Sequence, residues 1–310
     1  MRYLVTGGAG FIGSNLIRYL LKEGNSVLCL DDFSTGRKKN IENLLETSGF
    51  EFVEHDLTKP FFPEKIDAIF NLASPASPVH FQFNPIRTLK MGTLALYNVL
   101  GMATRLKIPI LQASTSEIYG DPLVHPQTED YWGNVNPIGP RACYDEGKRV
   151  AEALCVSYRD YSGTDIRIAR IFNTFGPYML QDDGRVICNF VVQALKGENL
   201  TVYGDGIQTR SFCFVDDLVK GLVSLMNSEY KDPMNLGNPN EIKIIDLAQK
   251  IIERTGTSST IIYKPLPIDD PTRRKPNILL AKEILGWEPK MSLDEGLEST
   301  IEWFRKNLKS

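Results

Sequence analysis

Apolar residues along the first half of the chain alternate between two spacings: short runs of strand length, and stripes at i, i+3, i+4. Residues 2–6 form a β-type run. Ile12, Leu16, Ile17, Leu20 and Leu21 then fall on one helix face, which Gly24-Asn25 ends. Residues 26–30 read as a strand ending at Asp31, 50–54 as a strand ending at His55-Asp56, 68–72 as an apolar strand of a buried parallel sheet, and 110–113 as another. Residues 86–106 carry a long helical pattern. A further helix runs from Tyr144 through Val150, Leu154 and Tyr158, and 165–172 follows as a strand. This alternation predicts an α/β fold with a doubly wound parallel sheet.

After Asn173 the alternation is lost, and Gly176-Pro177, Asp183-Gly184 and Asp205-Gly206 mark turns. A smaller C-terminal lobe over the sheet edge is expected there. A helix at 215–226 and a strand at 234–236 are expected to return to the sheet. The predicted division is 1–173 plus about 211–250 for a dinucleotide-binding domain, and about 174–210 plus 251–310 for a substrate-binding lobe. No internal repeat or low-complexity segment interrupts this plan.

Composition narrows the function. The chain has 310 residues, 42% apolar and 24% charged, which is enough for such a core. A net charge of −3 argues against a nucleic-acid or anionic-membrane partner. The basic cluster Arg273-Arg274-Lys275 is too short for a polyanion stripe. Five cysteines without a Cys-x-x-Cys spacing predict reduced thiols, and three distant histidines offer no metal site. No apolar run approaches the ~18–20 residues of a membrane span. A strand begins directly after Met1, leaving no room for a signal peptide. The expectation is a soluble, cytoplasmic protein without metal.

The chemistry starts at Gly7-Gly8-Ala9-Gly10-Phe11-Ile12-Gly13, at the first strand-to-helix corner. Glycines there allow the tight turn and let backbone approach a pyrophosphate. Asp31 lies eighteen residues after Gly13, where a carboxylate binds a ribose 2′-hydroxyl and repels a 2′-phosphate. NAD is therefore favoured over NADP, with Arg37 nearby as a counterweight. Asp56 could bond an adenine or cap a turn. Small residues 73–78 and the run Ser114-Thr115-Ser116-Glu117 follow the ends of two later strands, the ligand edge of an open α/β sheet. Tyr144 and Lys148, four apart on a helix, share a face. A phenol titrates near pH ~10. A neighbouring cation lowers that value and makes Tyr144 a base toward a hydroxyl whose carbon loses hydride.

Gly7, Gly10 and Gly13, the hydroxyl of Thr115, and Tyr144-x-x-x-Lys148 together resemble the extended short-chain dehydrogenases/reductases, with a Rossmann-type sheet. Ala73-Ser74-Pro75-Ala76-Ser77-Pro78, residues 113–122, 136–149 and 170–177 narrow the resemblance to the UDP-glucuronic acid decarboxylases, also called UDP-xylose synthases, over residues 1–304. The resemblance implies conversion of UDP-glucuronic acid to UDP-xylose through a 4-keto-hexuronic acid, with NAD recycled. It implies catalytic roles for Tyr144, Lys148, Thr115, Ser116, Glu117 and Arg274. Arg274 is expected at the substrate carboxylate, and Ser116 with Glu117 at the sugar ring and a proton-carrying water; Glu117 buried structurally against Arg141 is the alternative. The implied cofactor contacts are Gly7, Gly10, Phe11, Ile12, Gly13, Asp31, Asp32, Phe33, Ser34, Thr35, Gly36, Asp56, Leu57, Leu72, Ala73, Ser74, Ala113, Tyr144, Lys148 and Ile171. The implied substrate contacts add Pro75, Lys90, Asn173, Arg185, Tyr203 and Arg210 to Thr115, Glu117, Tyr144 and Arg274.

The sequence departs from the family pattern at Asp32, where Asn is usual, which adds negative charge beside Asp31. It departs again at Met91-Gly92, inside the long helix. A 4,6-dehydratase would carry Asp where Ser116 stands, and Ser cannot act as that acid. A UDP-glucuronate 4-epimerase, an enzyme releasing the 4-keto-pentose, and a non-catalytic NAD-binding scaffold remain as alternatives. The resemblance also implies a homodimer paired through the helix after Ile86 and the helix of Tyr144.

Overall fold

The computed structural model describes residues 1–267 and 273–308. Six strands alternate with helices: β1 (Arg2–Thr6), β2 (Ser26–Asp31), β3 (Phe50–Glu54), β4 (Ala68–Asn71), β5 (Ile110–Thr115) and β6 (Ile166–Ile171). All pair in parallel, and Pro233–Leu236 joins beside β6 as a seventh strand. The order runs Pro233–Leu236, β6, β5, β4, β1, β2, β3. The chain winds outward from β1 to β3, then returns to the other flank of β1 with β4. Strand order therefore reverses between β1 and β4, the position at which open α/β sheets bind ligands.

Side-chain alternation packs both faces. Tyr3 and Val5 enter one core with α1 (Phe11–Lys22) and helix Val215–Met226. Leu4, between them, enters the other core with α4 (Leu96–Leu106) and α5 (Ala142–Ser162). The strand expected at 68–72 ends at Asn71, whose amide makes it less than wholly apolar. Thr6 donates to Asn71 Oδ1 at 2.5 Å, and Asn71 Nδ2 donates to Gln112 Oε1 at 2.6 Å, a polar row buried across three strands.

The helix expected at 86–106 is not uniform. Short α2 (Pro78–Phe83) and α3 (Pro85–Lys90) precede a π turn at Met91–Ala95, which leads into α4. The cause is a close crossing with α5. A Cβ at Gly92 would stand 2.5 Å from the Gly147 carbonyl oxygen. The extra residue of the π turn also shifts the helix phase.

In the second lobe, helix Val186–Lys196 packs against helix Ile244–Thr255, and Leu200–Tyr203 pairs with Ile261–Lys264. A small sheet sets Thr209–Ser211 between Glu241–Lys243 and Arg273–Arg274. Helix Ile244–Thr255 buries Leu247, Ala248 and Ile251 in the same continuous core that Tyr3 and Val5 enter. Buried Gln127 ties the lobe to the sheet. Its backbone N–H donates to the Lys275 carbonyl at 2.9 Å, and its side-chain Oε1 accepts from the Lys275 N–H at 2.8 Å. That clamp fixes the neighbouring Arg274. Among the described residues no helix is long and apolar enough to cross a membrane.

Candidate active site

A cavity of about 560 Å³ runs along the C-terminal ends of the strands, under the second lobe. Its floor at one end is backbone. Gly7 has φ +67°, and a Cβ there would lie 2.8 Å from the Ala73 backbone; a Cβ at Gly13 would strike the Gly7 carbonyl. The first turn of α1 opens onto this bare backbone, a setting that suits a pyrophosphate. Asp31 closes the same end. Its carboxylate accepts from the Ala9 N–H at 3.0 Å and the Phe33 N–H at 2.8 Å. Burial pushes its pKa up, against the pull of those N–H groups. Gly36 packs behind it, where a Cβ would meet both carboxylate oxygens at 2.8 Å. A glycine cradle with a buried carboxylate beyond it fits a dinucleotide with a free 2′-hydroxyl.

Two expectations about this end are revised. The charge added by Asp32 is not free, because Arg87 of α3 forms an ion pair with it, and Ser34 N–H donates to it at 2.9 Å. Arg37, the counterweight in favour of NADP, turns outward to Asp182 at 2.6 Å and does not line the cavity. Asp56 accepts from Thr58 N at 3.0 Å and Thr58 Oγ1 at 2.8 Å, so it caps a turn. It lies off the cavity wall, as do Phe33, packed on Phe52, and Gly36. Phe11, Ile12, Gly10, Ser34, Thr35, Leu57, Leu72, Ala73, Ser74, Ala113 and Ile171 all line it.

At the centre of the cavity Tyr144 is buried, stacked parallel on Phe81 with centroids 5.0 Å apart and hydrogen-bonded to Thr115. Lys148 Nζ lies 5.7 Å from the Tyr144 ring centroid and donates to the Ala113 carbonyl at 2.8 Å. Burial lowers Lys148 to about 8. The expected depression of the phenol does not come from these side chains alone. Burial raises Tyr144, and nearby Glu117 and Asp145 add to that, against the Thr115 hydrogen bond and Arg185. Tyr144 thus rests as the protonated phenol, held by Thr115 at the point where chemistry is expected.

Beside it stands a carboxylate with two cations. Arg141 donates to Glu117 Oε2 at 2.5 Å, and Arg274 grips both oxygens with its two terminal nitrogens, one at 2.7 Å. Burial disfavours the charge of Glu117, yet Arg274 and Arg141 outweigh it and bring the pKa down to about 2. Sequence reasoning left open catalysis or a structural partnership with Arg141. The geometry shows the partnership, and adds Arg274, expected at the substrate carboxylate, as the second partner. Both arginines still line the cavity, with Ser116.

Toward the second lobe Asn173, Arg185, Tyr203 and Arg210 line the wall, with Pro75 opposite. Arg185 is bidentate on Asp183, with one contact at 2.8 Å, and Arg210 donates to the Thr209 carbonyl at 2.9 Å. Lys90 is not brought in. It is exposed at the end of α3, and Met91, the first residue of the π turn, lines the cavity instead. His55, His80, Phe81 and Met91 are wall residues that sequence reasoning did not assign. No motif marks them, since helix phase and loop path decide their direction.

A family model described as GDP-mannose 4,6 dehydratase matches residues 4–300. The chain is 55% identical over 307 residues to UDP-glucuronic acid decarboxylase 1 of Xenopus tropicalis, covering 99% of this chain and 73% of that protein. It is 53% identical to UDP-glucuronic acid decarboxylase 6 of Arabidopsis thaliana, over 99% of this chain and 90% of that protein. Among solved structures, UDP-glucose 4-epimerase of Thermotoga maritima with UDP-glucose superposes with a TM-score of 0.91 at 29% identity, covering 99% of this chain and 100% of that one. UDP-glucuronic acid 4-epimerase of Bacillus cereus, in complex with UDP-glucuronic acid and NAD, superposes with a TM-score of 0.89 at 26% identity, over 99% of this chain and 100% of that one.

Proposed function

The chain belongs to the GDP-mannose 4,6 dehydratase family of extended short-chain dehydrogenases/reductases, among the UDP-glucuronic acid decarboxylases, and we propose that it converts UDP-glucuronic acid to UDP-xylose and carbon dioxide. The observation that carries this reading is the meeting of Tyr144, Thr115 and Lys148 with the Glu117–Arg274–Arg141 cluster in one glycine-floored cleft. Identity of 52–55% to decarboxylases, against 26–29% to the two epimerases above, supports decarboxylation over epimerisation.

Gly7, Gly13 and the start of α1 would hold the pyrophosphate of NAD, and Asp31 its adenosine ribose. Bound NAD supplies a reversible hydride acceptor for C4 and is regenerated within the cycle. As the phenolate, a form that the positive charges of Lys148 and of a bound nicotinamide would favour, Tyr144 would take the proton of the 4-hydroxyl and later return it, while Thr115 fixes the phenol oxygen. Lys148, held on the Ala113 carbonyl, would present its charge to the nicotinamide end. A ketone at C4 stands β to the carboxylate, so when carbon dioxide leaves, the electron pair of the C5–carboxyl bond stays on the sugar and is taken up as an enolate. Thr115, Ser116 and the protonated phenol donate to that oxygen. Glu117 cannot supply a proton at neutral pH, because it is already ionised. The two guanidiniums that hold it also line the cavity, where their positive charge favours a uronic acid over a neutral sugar. Arg185 and Arg210, with Tyr203 and Asn173, receive the UDP moiety.

Tyr144→Phe tests this assignment. It removes the base and leaves the stacked ring. Turnover should fall by roughly 10²–10⁴-fold, with NAD binding kept. A variant with wild-type turnover would remove Tyr144 from the mechanism.

The protein is further proposed to act as a homodimer in the cytoplasm. Ile86, Leu89, Leu94, Tyr97 and Val150 are exposed apolar residues on the helices expected to pair. The described cysteines are free and buried, which supports a reducing compartment; recovery in the cytosolic fraction checks it.

A further inference from the structure

The proposed cycle lends a hydride to the cofactor and takes it back, so the reduced nicotinamide must stay in place between the two transfers. The glycine floor and Asp31 form one side of the groove and account for binding. Retention needs a second side.

Residues 177–184 rest on both flanks of the switch point. At their start Asn15 of α1 donates to the Pro177 carbonyl at 3.1 Å, and Asn40, beyond β2, donates to the Tyr178 carbonyl at 3.4 Å. The guanidinium of Arg18 lies 3.8 Å from the centre of the Tyr178 ring, which also meets Trp303 at 5.5 Å. Arg37, in the loop after β2, reaches Asp182 at 2.6 Å. At the far end Gly184 packs on Val79 of α2, where a Cβ would stand 2.7 Å from Val79 Cγ2. The loop after β2 and the helix after β4 lie on opposite sides of β1, so the segment crosses the crevice between them. Met179, Leu180 and Asp183 line the cavity, whereas Arg18, Arg37, Tyr178 and Asp182 lie off its wall. The fastenings are thus separate from the surface they hold over the groove.

Backbone strain marks the same places. Tyr178 has φ +72° and Phe33 has φ +55°, a left-handed conformation that is costly for a bulky side chain. Such residues persist where their surroundings over-determine them, as at ligand clamps. Phe33 stands in the loop that carries Arg37, and Tyr178 in the segment that carries Asp182.

We propose that residues 177–184 are a strap over the dinucleotide groove, fastened by the Arg37–Asp182 ion pair and by Tyr178 on Arg18, and that the bound cofactor leaves only when the strap lifts. The inference rests on the dinucleotide reading of the cleft and is independent of the choice between decarboxylation and epimerisation. An exposed ion pair contributes little to the stability of a whole protein. Its loss therefore acts on the strap and leaves the fold intact.

The test follows release of NADH from the loaded enzyme, as the loss of nicotinamide fluorescence when excess NAD displaces it. Asp182→Arg sets like charges against each other and should speed release about threefold or more. Tyr178→Ala removes the ring from Arg18 and should speed it about tenfold. Arg37→Asp combined with Asp182→Arg rebuilds the pair in reverse and should return release to the wild-type rate. Thermal unfolding of the loaded enzyme should change little across this charge series, which decides the question even where Tyr178→Ala fails to fold. Wild-type release from Asp182→Arg overturns the strap, and so does a doubly changed enzyme as fast as Asp182→Arg alone. A wild-type enzyme that retains no NADH overturns the cofactor reading itself, and this inference with it.

Discussion

Glu117 sets the electrostatics of the sugar site because two guanidiniums reach it from distant parts of the chain. Its pKa of about 2 lies below the ordinary ~4.3 of a glutamate. The group thus stabilises the fold at all pH values above that ordinary value, and the contribution disappears as pH falls through about 2. Glu117→Gln leaves Arg141 and Arg274 facing each other without their anion. We expect a loss of about 3–5 kcal/mol near neutral pH and a fall in kcat/KM, with NAD affinity little changed. The stability gap to wild type should narrow between pH 5 and pH 3, as seen by chemical denaturation. A gap independent of pH would show that Glu117 is not ionised in the folded protein. The same scale explains the revised picture of Asp32. A charge read from sequence counts only after its partner is known, and Arg87 lies fifty-five residues away.

The β-α-β units were readable because their signals are local. The glycines of residues 7–13, the acid ending β2 and the Tyr144–Lys148 helix lie within single elements whose periodicity is plain. Side-chain direction beyond the element was not readable. The resemblance placed Lys90 toward the sugar, whereas the π turn delivers Met91 to the cavity wall and leaves Lys90 exposed. The cause is the crossing at Gly92 and Gly147, two helices apart in sequence. Likewise, the grip of Arg274 on Glu117 spans 157 residues and depends on Gln127 holding Lys275. Gly92→Ala tests the crossing. Its Cβ would press on the Gly147 carbonyl at 2.5 Å, and overpacking of that kind costs about 1–3 kcal/mol. Thermal unfolding should start several degrees lower and NAD affinity should be unchanged. An unaffected melting temperature would mean that the two helices separate easily and that the π turn has another cause.

At the scale of the whole molecule, the sheet presents one cleft at its switch point, and the second lobe closes it with Arg185, Arg210 and Arg274. The helices on either side of the π turn and the helix of Tyr144 expose Ile86, Leu89, Tyr97 and Val150. Sedimentation at micromolar concentration should show a dimer, and replacement of Leu89 and Tyr97 by charged residues should give monomers. A wild-type monomer would sink the pairing. The central claim concerns what the cleft does to a sugar. Its most direct test is a proton NMR time course of the purified protein with UDP-glucuronic acid, with and without added NAD. The account predicts UDP-xylose, with solvent hydrogen at C5 and no lasting NADH; accumulation of UDP-galacturonic acid, or an unchanged sugar in the presence of bound NAD, would contradict it.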